Sequence, residues 1–499
     1  MVREIRIGLE IHCQLTSLQS KLFCSCYCDY RGKIPNTNIC PICSGLPGAL
    51  PLLNQKAVEY ASLLSLALDC KIPNEMIFYR KNYFYLDLPK NFQLTQYNAY
   101  GITSIGVDGR LEYGGGEGDE KKYAKIRRVQ LEEDPGRLLY ENDNMDNNSF
   151  YTLIDYNRAG VSLIEVVTEP DFASPKDVRI FLNKITSIIE HLGICNTKLE
   201  GSIRCDANIS IGQGKRVEIK NVGSFREVEK ALNYEITRQK TMSLHEIEIK
   251  EETRHWDDKR KVTKQARVKE EEQDYRYFPE PDIPTVVLSV SFLSSLKTKM
   301  PELPDKRKSR FITNYGLSEH VSQVLIDNKE LADFFESAVK VYSSPKEIAN
   351  WIVSELMRFI DEDYYYYYSL SSSSKEEKKG SLFLGLKIEA KHIAELVKLI
   401  DQNTINRNTA KIILNQIIKT GEMPSQVAQK ADALKIDDRN IILEAIESIF
   451  KSEKSAVNDA KRNPNATNFL LGKIMQFTKG RADPKIALDL IKEKLIKSD

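Results

Sequence analysis

In the stretch GLEIHCQ, Leu9, Ile11 and Cys13 alternate with Glu10, His12 and Gln14. Residues two apart on a strand point the same way. The segment must therefore bury one face while it presents a carboxylate and an imidazole on the other. The same period returns in RVEIKN, where Glu218 and Lys220 alternate with Val217 and Ile219, and in RCDAN, where Arg204, Asp206 and Asn208 alternate with Cys205 and Ala207. VQLEEDPG sets Glu132, Glu133 and Asp134 before a turn. A single pair of this kind is well explained as a hydrogen-bonded strand pair. Repetition at distant places constrains the fold to a sheet with an apolar face toward a core and a charged face that is either solvated or a site.

That pattern belongs to residues 1–293, where strand-like stretches mix with the helically spaced segments NQKAVEYASLLSLALDC and SPKDVRIFLNKITSIIEHLG. LPKNF, VDGR and GGGEGDE supply turn signals between them. The expectation is one α+β domain with an antiparallel sheet. Past Met300 strand patterns fade: 294–405 reads as a helical domain, interrupted by the low-complexity loop DEDYYYYYSLSSSSKEEKKGS at 361–381, and 406–499 as a small helical tail. A chain of 499 residues exceeds what one core serves, so several domains are expected on length alone. The tail carries 17 Lys and Arg against 12 Asp and Glu. Its Lys461, Arg462, Lys473, Lys479 and Arg481 are candidates for phosphate contacts, with a solvated helical face as the other reading.

Across the whole chain 72 Lys and Arg nearly balance 71 Asp and Glu, which argues against a protein that coats a polyanion along its length. The opening residues MVREIRIGLEIH contain no basic segment followed by an apolar one, and no run reaches the roughly 18 apolar residues of a membrane helix. A soluble intracellular protein is expected. Nine cysteines, five of them between Cys24 and Cys43, suit a metal cluster in a reducing compartment better than a disulfide framework. Cys24-x-Cys26 and Cys40-x-x-Cys43 are the inventory of a structural Zn²⁺ site, with Cys28 as a spare, while Cys13, Cys70, Cys195 and Cys205 read as small core residues.

A floor of Glu, His, Asp, Lys and Arg is what an open cradle for Mg²⁺ and nucleotide phosphates requires, since Mg²⁺ takes a few carboxylates and keeps waters. Lys220, Arg204 and Arg158 are candidates to neutralise a transferring phosphoryl group. Neither GxxxxGK[ST] nor a convincing GxGxxG is present, so ATP use would depend on the sheet itself. No GxSxG and no serine–lysine amidase signature is found, so the chain is not expected to make its own nucleophile for amide hydrolysis.

As a set, GLEIHCQL, FCSC, NTNICPICSGLPGALPLLNQKAVEYA, RKNYFYLDLPKNFQLTQYN, LEEDPG, DYNRAGVSLIEVVTEPD, GSIRCDANISI, VEIKNVGSFR and DYRYFPEPDIP resemble, in order, the B-subunit family of glutamine-dependent aspartyl/glutamyl-tRNA amidotransferases. The likeness continues through MPELPDKRKSRFITNYGLSEH, KELADFFESAV, IANWIVSEL and NFLLGKIMQFTKGRADP. The resemblance implies an N-terminal cradle similar in fold to the catalytic domain of glutamine synthetase. That cradle would use ATP and Mg²⁺ to phosphorylate the side-chain carboxylate of Glu-tRNA(Gln) or Asp-tRNA(Asn), which ammonia then amidates. It implies an amidase A subunit that hydrolyses glutamine, a small C subunit completing a heterotrimer, and the bacterial cytoplasm, an organelle being the other location. On this likeness Glu10, His12, Glu132 and Glu218 would hold Mg²⁺, with Asp206 joining them or the nucleotide, Arg204 and Ser224 lying at the nucleotide, and the four paired cysteines binding zinc. The helical middle and tail would contact tRNA.

The sequence departs from the family pattern at Gln130, where histidine is usual, at Pro135, at Leu86 and in the looser KQARVKEEEQDYRYF. Two other readings stand beside this one. The related archaeal E subunit acts only on Glu-tRNA(Gln) but normally carries an inserted domain, for which the middle region is too short. A non-catalytic zinc-containing RNA-binding scaffold would have no need of Glu10, His12, Glu132 and Glu218 together.

Overall fold

The computed structural model describes residues 4–98, 101–114, 120–141, 151–212, 214–220, 222–266, 275–360, 381–383, 385–430, 439–462, 466–478, 482 and 484–497. It divides into two compact units, Met1–Lys308 and Ser309–Asp499. The fold is α+β, a sheet-based first unit followed by helices.

Ten strands of the first unit bear on the site: β1 (Ile5–Gln14), β2 (Tyr79–Asn82), β3 (Phe92–Thr95), β4 (Gly106–Gly114), β5 (Lys121–Glu133), β6 (Ser162–Thr168), β7 (Ile203–Ile211), β8 (Val217–Lys220), β9 (Glu252–Asp257) and β10 (Val262–Gln265). Eight make one sheet in the order β10-β9-β8-β7-β1-β6-β5-β4, and β2 and β3 pair in a separate small one. The large sheet is antiparallel as expected, except that β8 and β9 run parallel. A parallel pair needs a long crossover, and helix α3, introduced next, lies between these two strands in the chain.

Three helices cover the apolar face: α1 (Gln55–Ala67), α2 (Pro175–Leu192) and α3 (Phe225–Leu244). Local chemistry sets their ends. Asn54 and Ser174 cap α1 and α2 by accepting backbone N–H groups, Pro175 opens α2, and Gly193 ends it at a left-handed φ of 69°. Phe181, Leu182 and Ile185 of α2 and Val228 and Leu232 of α3 meet Ile7, Leu9, Ile11, Cys205, Ala207 and Ile219 from the strands in one core. Burying some ten such side chains, at about 1.5–3 kcal/mol each, is what holds the sheet's other face in position. VDGR does not form the expected turn: Val107–Arg110 lies within β4, where Asp108 takes φ 51° while the strand keeps its register with β5, Val107 opposite Arg128 and Gly109 opposite Ile126. An aspartate tolerates this left-handed conformation, so the strand continues through it.

Among the described residues the second unit contains two apolar clusters, one drawn from Phe311 to Ala428 and one from Ile442 to Leu495. The seam expected near 293 falls inside the helix Val290–Lys299, whose Leu296 is buried in the first unit's core. Helix Arg407–Thr420, expected to open the tail, places Ala410, Ile413, Leu414 and Ile417 in the first of these two clusters. Of the low-complexity loop only Ser381 lies within the described residues. No helix among the described residues is long and apolar enough to cross a membrane.

Candidate active site on the polar face of the sheet

Strand register assembles the polar face. Glu10 stands opposite Asp206 of β7, and His12 stands between Arg204 of β7 and Glu165 of β6. Glu218 of β8 lies opposite Asn208 on one side and Thr253 on the other. Donor atoms of Glu10, His12 and Glu165 lie within 4.8 Å of one another, and His12 Nε2 is 3.7 Å from Glu165 Oε2.

Glu165 was not among the residues the alternation pattern singled out. Its signal was a lone carboxylate inside the otherwise apolar run VSLIEVV, which is expensive to bury without a partner. Two further side chains escaped notice. Lys81 of β2 exerts its charge on both Glu132 and Glu165. Gln14 donates to Asp134 at 2.6 Å.

The electrostatics are those of crowded acids. Burial opposes the charge on His12, yet the hydrogen bond and charge of Glu165, helped by Glu132, push its pKa up to about 9. Glu165 is held below the usual carboxylate range despite burial, by His12, Arg128 and Lys81. Burial and the neighbouring Glu165 raise Glu10, and the same two causes push Glu132 up to about 7. Thr95 Oγ1 of β3 donates to Glu132 at 2.9 Å.

The structure brings some expected residues together and separates others. Glu132 and Glu218 lie on strands four positions apart, roughly 19 Å along the sheet at about 4.8 Å per strand. One ion with ~2 Å bonds cannot take both, so a single centre of Glu10, His12, Glu132 and Glu218 does not form. Glu218 instead belongs to a second group: Lys220 Nζ lies 3.2 Å from Asp206 and 3.5 Å from Glu218, whose other oxygen accepts from Thr253 at 2.9 Å. Burial disfavours the Lys220 ammonium, but Asp206, Glu218 and Glu10 outweigh it and raise its pKa above the ordinary lysine value.

Arg204 donates to Asp134 at 2.8 Å, and its Nε is buried without a protein partner among the described residues. Arg158 does not point into the face. Its guanidinium donates to the carbonyls of Pro135 and Gly136 at 2.9 and 2.7 Å, clamping the turn after β5. Ser224 is exposed and caps α3, accepting from the Glu227 N–H at 3.3 Å, which assigns its hydroxyl to the helix. Gln130, the departure from the family pattern, is satisfied: it donates to the Gln96 carbonyl at 2.5 Å and accepts from Arg128 at 2.9 Å.

The donor set fits a hard divalent cation. Glu10, His12 and Glu165 offer two carboxylates and an imidazole at one spot, and Asn208 Oδ1, beside Glu218, is a buried acceptor without a partner among the described residues. The cysteine cluster fits zinc. The sulfurs of Cys24, Cys26, Cys40 and Cys43 lie within 4.8 Å of one another, with Cys26–Cys43 at 3.9 Å and Cys40–Cys43 at 3.8 Å. Tetrahedral Zn–S bonds of about 2.3 Å imply sulfurs about 3.8 Å apart. Cys43 is held below the ordinary thiol range by a hydrogen bond from Cys24, the Lys21 ammonium and the Cys40 N–H, against the opposing effect of burial. Cys28 donates to the Leu15 carbonyl and sits in the core with Cys13, Cys195 and Cys205.

In the tail, Lys473 pairs with Glu453 at 2.9 Å and Lys461 is engaged within the protein. Lys479 and Arg481 lie outside the described residues, as does the side chain of Arg462.

A cradle of this kind, followed by helices, places the chain in a class. The family model described as GatB/GatE catalytic domain matches residues 5–294, and the one described as GatB domain matches residues 333–495. The chain therefore belongs to the B-subunit family of aspartyl/glutamyl-tRNA(Asn/Gln) amidotransferases. It is 44% identical to the aspartyl/glutamyl-tRNA(Asn/Gln) amidotransferase B subunit of Sulfurisphaera tokodaii over 489 residues, 98% of this chain and 99% of that protein. The protein of the same name from Thermotoga maritima is 44% identical over 498 residues, 98% of each chain, and that of Thermodesulfovibrio yellowstonii 42% over 499 residues, 98% of this chain and 99% of the other. These relatives all carry the B name, which favours it over the E subunit.

Proposed function

We propose that this chain activates and amidates the side-chain carboxylate of glutamate or aspartate carried on tRNA(Gln) or tRNA(Asn), within a complex that includes an amidase A subunit and a small C subunit. The observation that carries this reading is the meeting of Glu10, His12 and Glu165 within 4.8 Å on a sheet face that also bears Lys220 and Arg204. A free carboxylate cannot be amidated directly, because its oxygen is too poor a leaving group for ammonia to expel. Bound Mg²⁺ and ATP would supply the phosphoryl group that makes that oxygen a leaving group, with Glu10, His12 and Glu165 holding the ion.

The protein's own side chains do the rest. Lys220, fixed between Asp206 and Glu218, presents a permanent positive charge where negative charge develops during transfer. Arg204 is aimed by Asp134, which Gln14 and Arg158 also hold, so its free Nε–H is preorganised for an oxyanion. An acyl phosphate hydrolyses readily, so water must be kept out. Glu133 accepts from Leu94 N–H at 2.9 Å and from Lys90, fastening β3 at the end of β5 as a wall. The helical unit is the tRNA-binding part in this reading, supported by the excess of Lys and Arg in its last residues, and contact with structured RNA would be mainly to its shape and backbone. Such work belongs in the compartment where translation occurs.

The test is reconstitution with the A and C subunits, ATP, Mg²⁺, glutamine and Glu-tRNA(Gln) or Asp-tRNA(Asn). Amidated tRNA, ADP and phosphate are expected. ATP-independent amidation, or full activity of the partners without this chain, refutes the proposal.

A further inference from the structure

Lys21 is completely buried, and it heads the largest fully buried side chains among the described residues. A buried ammonium is costly unless an anion and hydrogen-bond acceptors meet it. Among the described residues no carboxylate forms an ion pair with Lys21. Its Nζ instead donates to the Asn38 carbonyl at 2.9 Å and to Cys43 Sγ at 3.7 Å. The anionic groups its charge reaches are cysteine sulfurs, Cys43 in contact and its fellow ligand Cys26 beyond, with Cys28 nearby. Four thiolates on a divalent ion leave a net charge of about −2 in a partly buried site, and such a centre needs cations beside it as much as Lys21 needs an anion.

The stem of Lys21 reaches the active-site wall. A Cβ placed on Gly160 would lie 3.4 Å from Cys43 Cβ, 3.7 Å from Lys21 Cδ and 3.8 Å from Glu133 Oε2. Gly160 sits at φ +83°, donates its N–H to the Asp134 carbonyl at 3.0 Å and accepts from the Leu22 N–H at 2.9 Å. Its neighbouring turn carries Arg158 and Asn157, and Asn157 grips the cysteine loop through the Asn38 N–H and the Ile34 carbonyl, at 2.8 and 2.7 Å. The loop bearing the cysteines and the turn that aims Asp134 are thus packed on one lysine.

We propose that Lys21 is a positioning residue matched to the cysteine centre: it neutralises part of the charge of the loaded Cys24–Cys26–Cys40–Cys43 site and ties that site to the Gly160 turn behind Asp134. Metal at the cysteines and the order of the activation site are then coupled through one buried charge, and Lys21 sets how tightly the metal is held.

The full-length chain, loaded with Zn²⁺ alone, is challenged with a chromophoric chelator. Lys21→Met is expected to weaken zinc retention about 10- to 100-fold, the usual effect of losing a partner behind the ligands, with Lys21→Arg recovering part of it. Hydrogen exchange in residues 155–161 should quicken in Lys21→Met and, to a similar degree, in zinc-stripped wild type. Zinc retention within about twofold of wild type overturns the proposal. A combined variant keeps the test decisive where Lys21→Met does not fold. In a Cys43→Ser chain the ammonium has lost its anion, so adding Lys21→Met should raise the melting temperature above that of Cys43→Ser alone. If the double variant is no more stable than Cys43→Ser, Lys21 is a packing residue only and the proposal fails.

Discussion

His12 and Glu165 stand side by side on neighbouring antiparallel strands, Nε2 to Oε2 3.7 Å, with Glu10 one step along the same strand face. The sheet brings them together because β6, far along the chain, pairs with the side of β1 that β7 leaves open. Three candidate ligands from two strands need no loop to hold them, so the arrangement is as rigid as the core beneath.

Replacing Glu165 with Gln keeps the shape and removes a ligand charge. ATP-dependent activation in the reconstituted complex should fall by about 100-fold or more, the scale of losing one preorganised electrostatic group, while glutaminase activity of the partner persists. Phosphate release measured with mischarged tRNA checks this. Activity within about fivefold of wild type would show that Glu165 is not a ligand.

Lys220→Met leaves Asp206 and Glu218 facing one another without their shared cation. A loss of about 100-fold in turnover is expected, larger than any change in tRNA affinity. Lys220→Arg should restore a fraction. Equal effects on binding and turnover would instead assign Lys220 to the architecture of the sheet.

Asp134 is 1% exposed and receives Gln14 and Arg204, with Arg158 at 3.9 Å. Asp134→Asn should cost about 2–3 kcal/mol in urea unfolding, at or below the lower end for breaking a buried pair because Arg204 is partly exposed. Burial opposes the charge, but Arg204 and Arg158 lower the pKa below its ordinary 3.8. The folded state therefore binds the proton less readily than the unfolded chain. The contribution is fully present above about pH 4 and is lost as pH falls through the lowered value. Wild type should lose more stability than Asp134→Asn on acidification, and parallel pH curves would contradict this account.

The cluster drawn from Ile442 to Leu495 uses no residue of the Phe311–Ala428 cluster. Deleting 439–499 should thus leave the preceding helices folded by circular dichroism. Affinity for tRNA should weaken and its salt dependence flatten. An unchanged salt slope would remove the tail from the RNA-binding surface.

Much of the fold was legible because its causes are local. The helical spacing of the segments that form α1 and α2, the two-residue period of β1 and β7, and the crowded cysteines each state their structure within a few positions. Alternation alone put Glu10 with His12, Arg204 with Asp206, and Glu218 with Lys220 on the polar side of their own strands, which the register then joined. VDGR misled, since an aspartate able to adopt positive φ fits inside a strand as well as in a turn.

What tertiary structure decided was neighbourhood. Strand order put Glu165 next to His12 and placed Glu132 and Glu218 on opposite sides of β1, too far apart to share one ion. It turned Arg158 toward the carbonyls of Pro135 and Gly136, gave Ser224 to a helix cap, and left buried Lys21 facing Cys43. The period of a strand is written in consecutive residues, because it follows from backbone geometry. Pairing between strands depends on how the whole core packs, and no short stretch of sequence contains it.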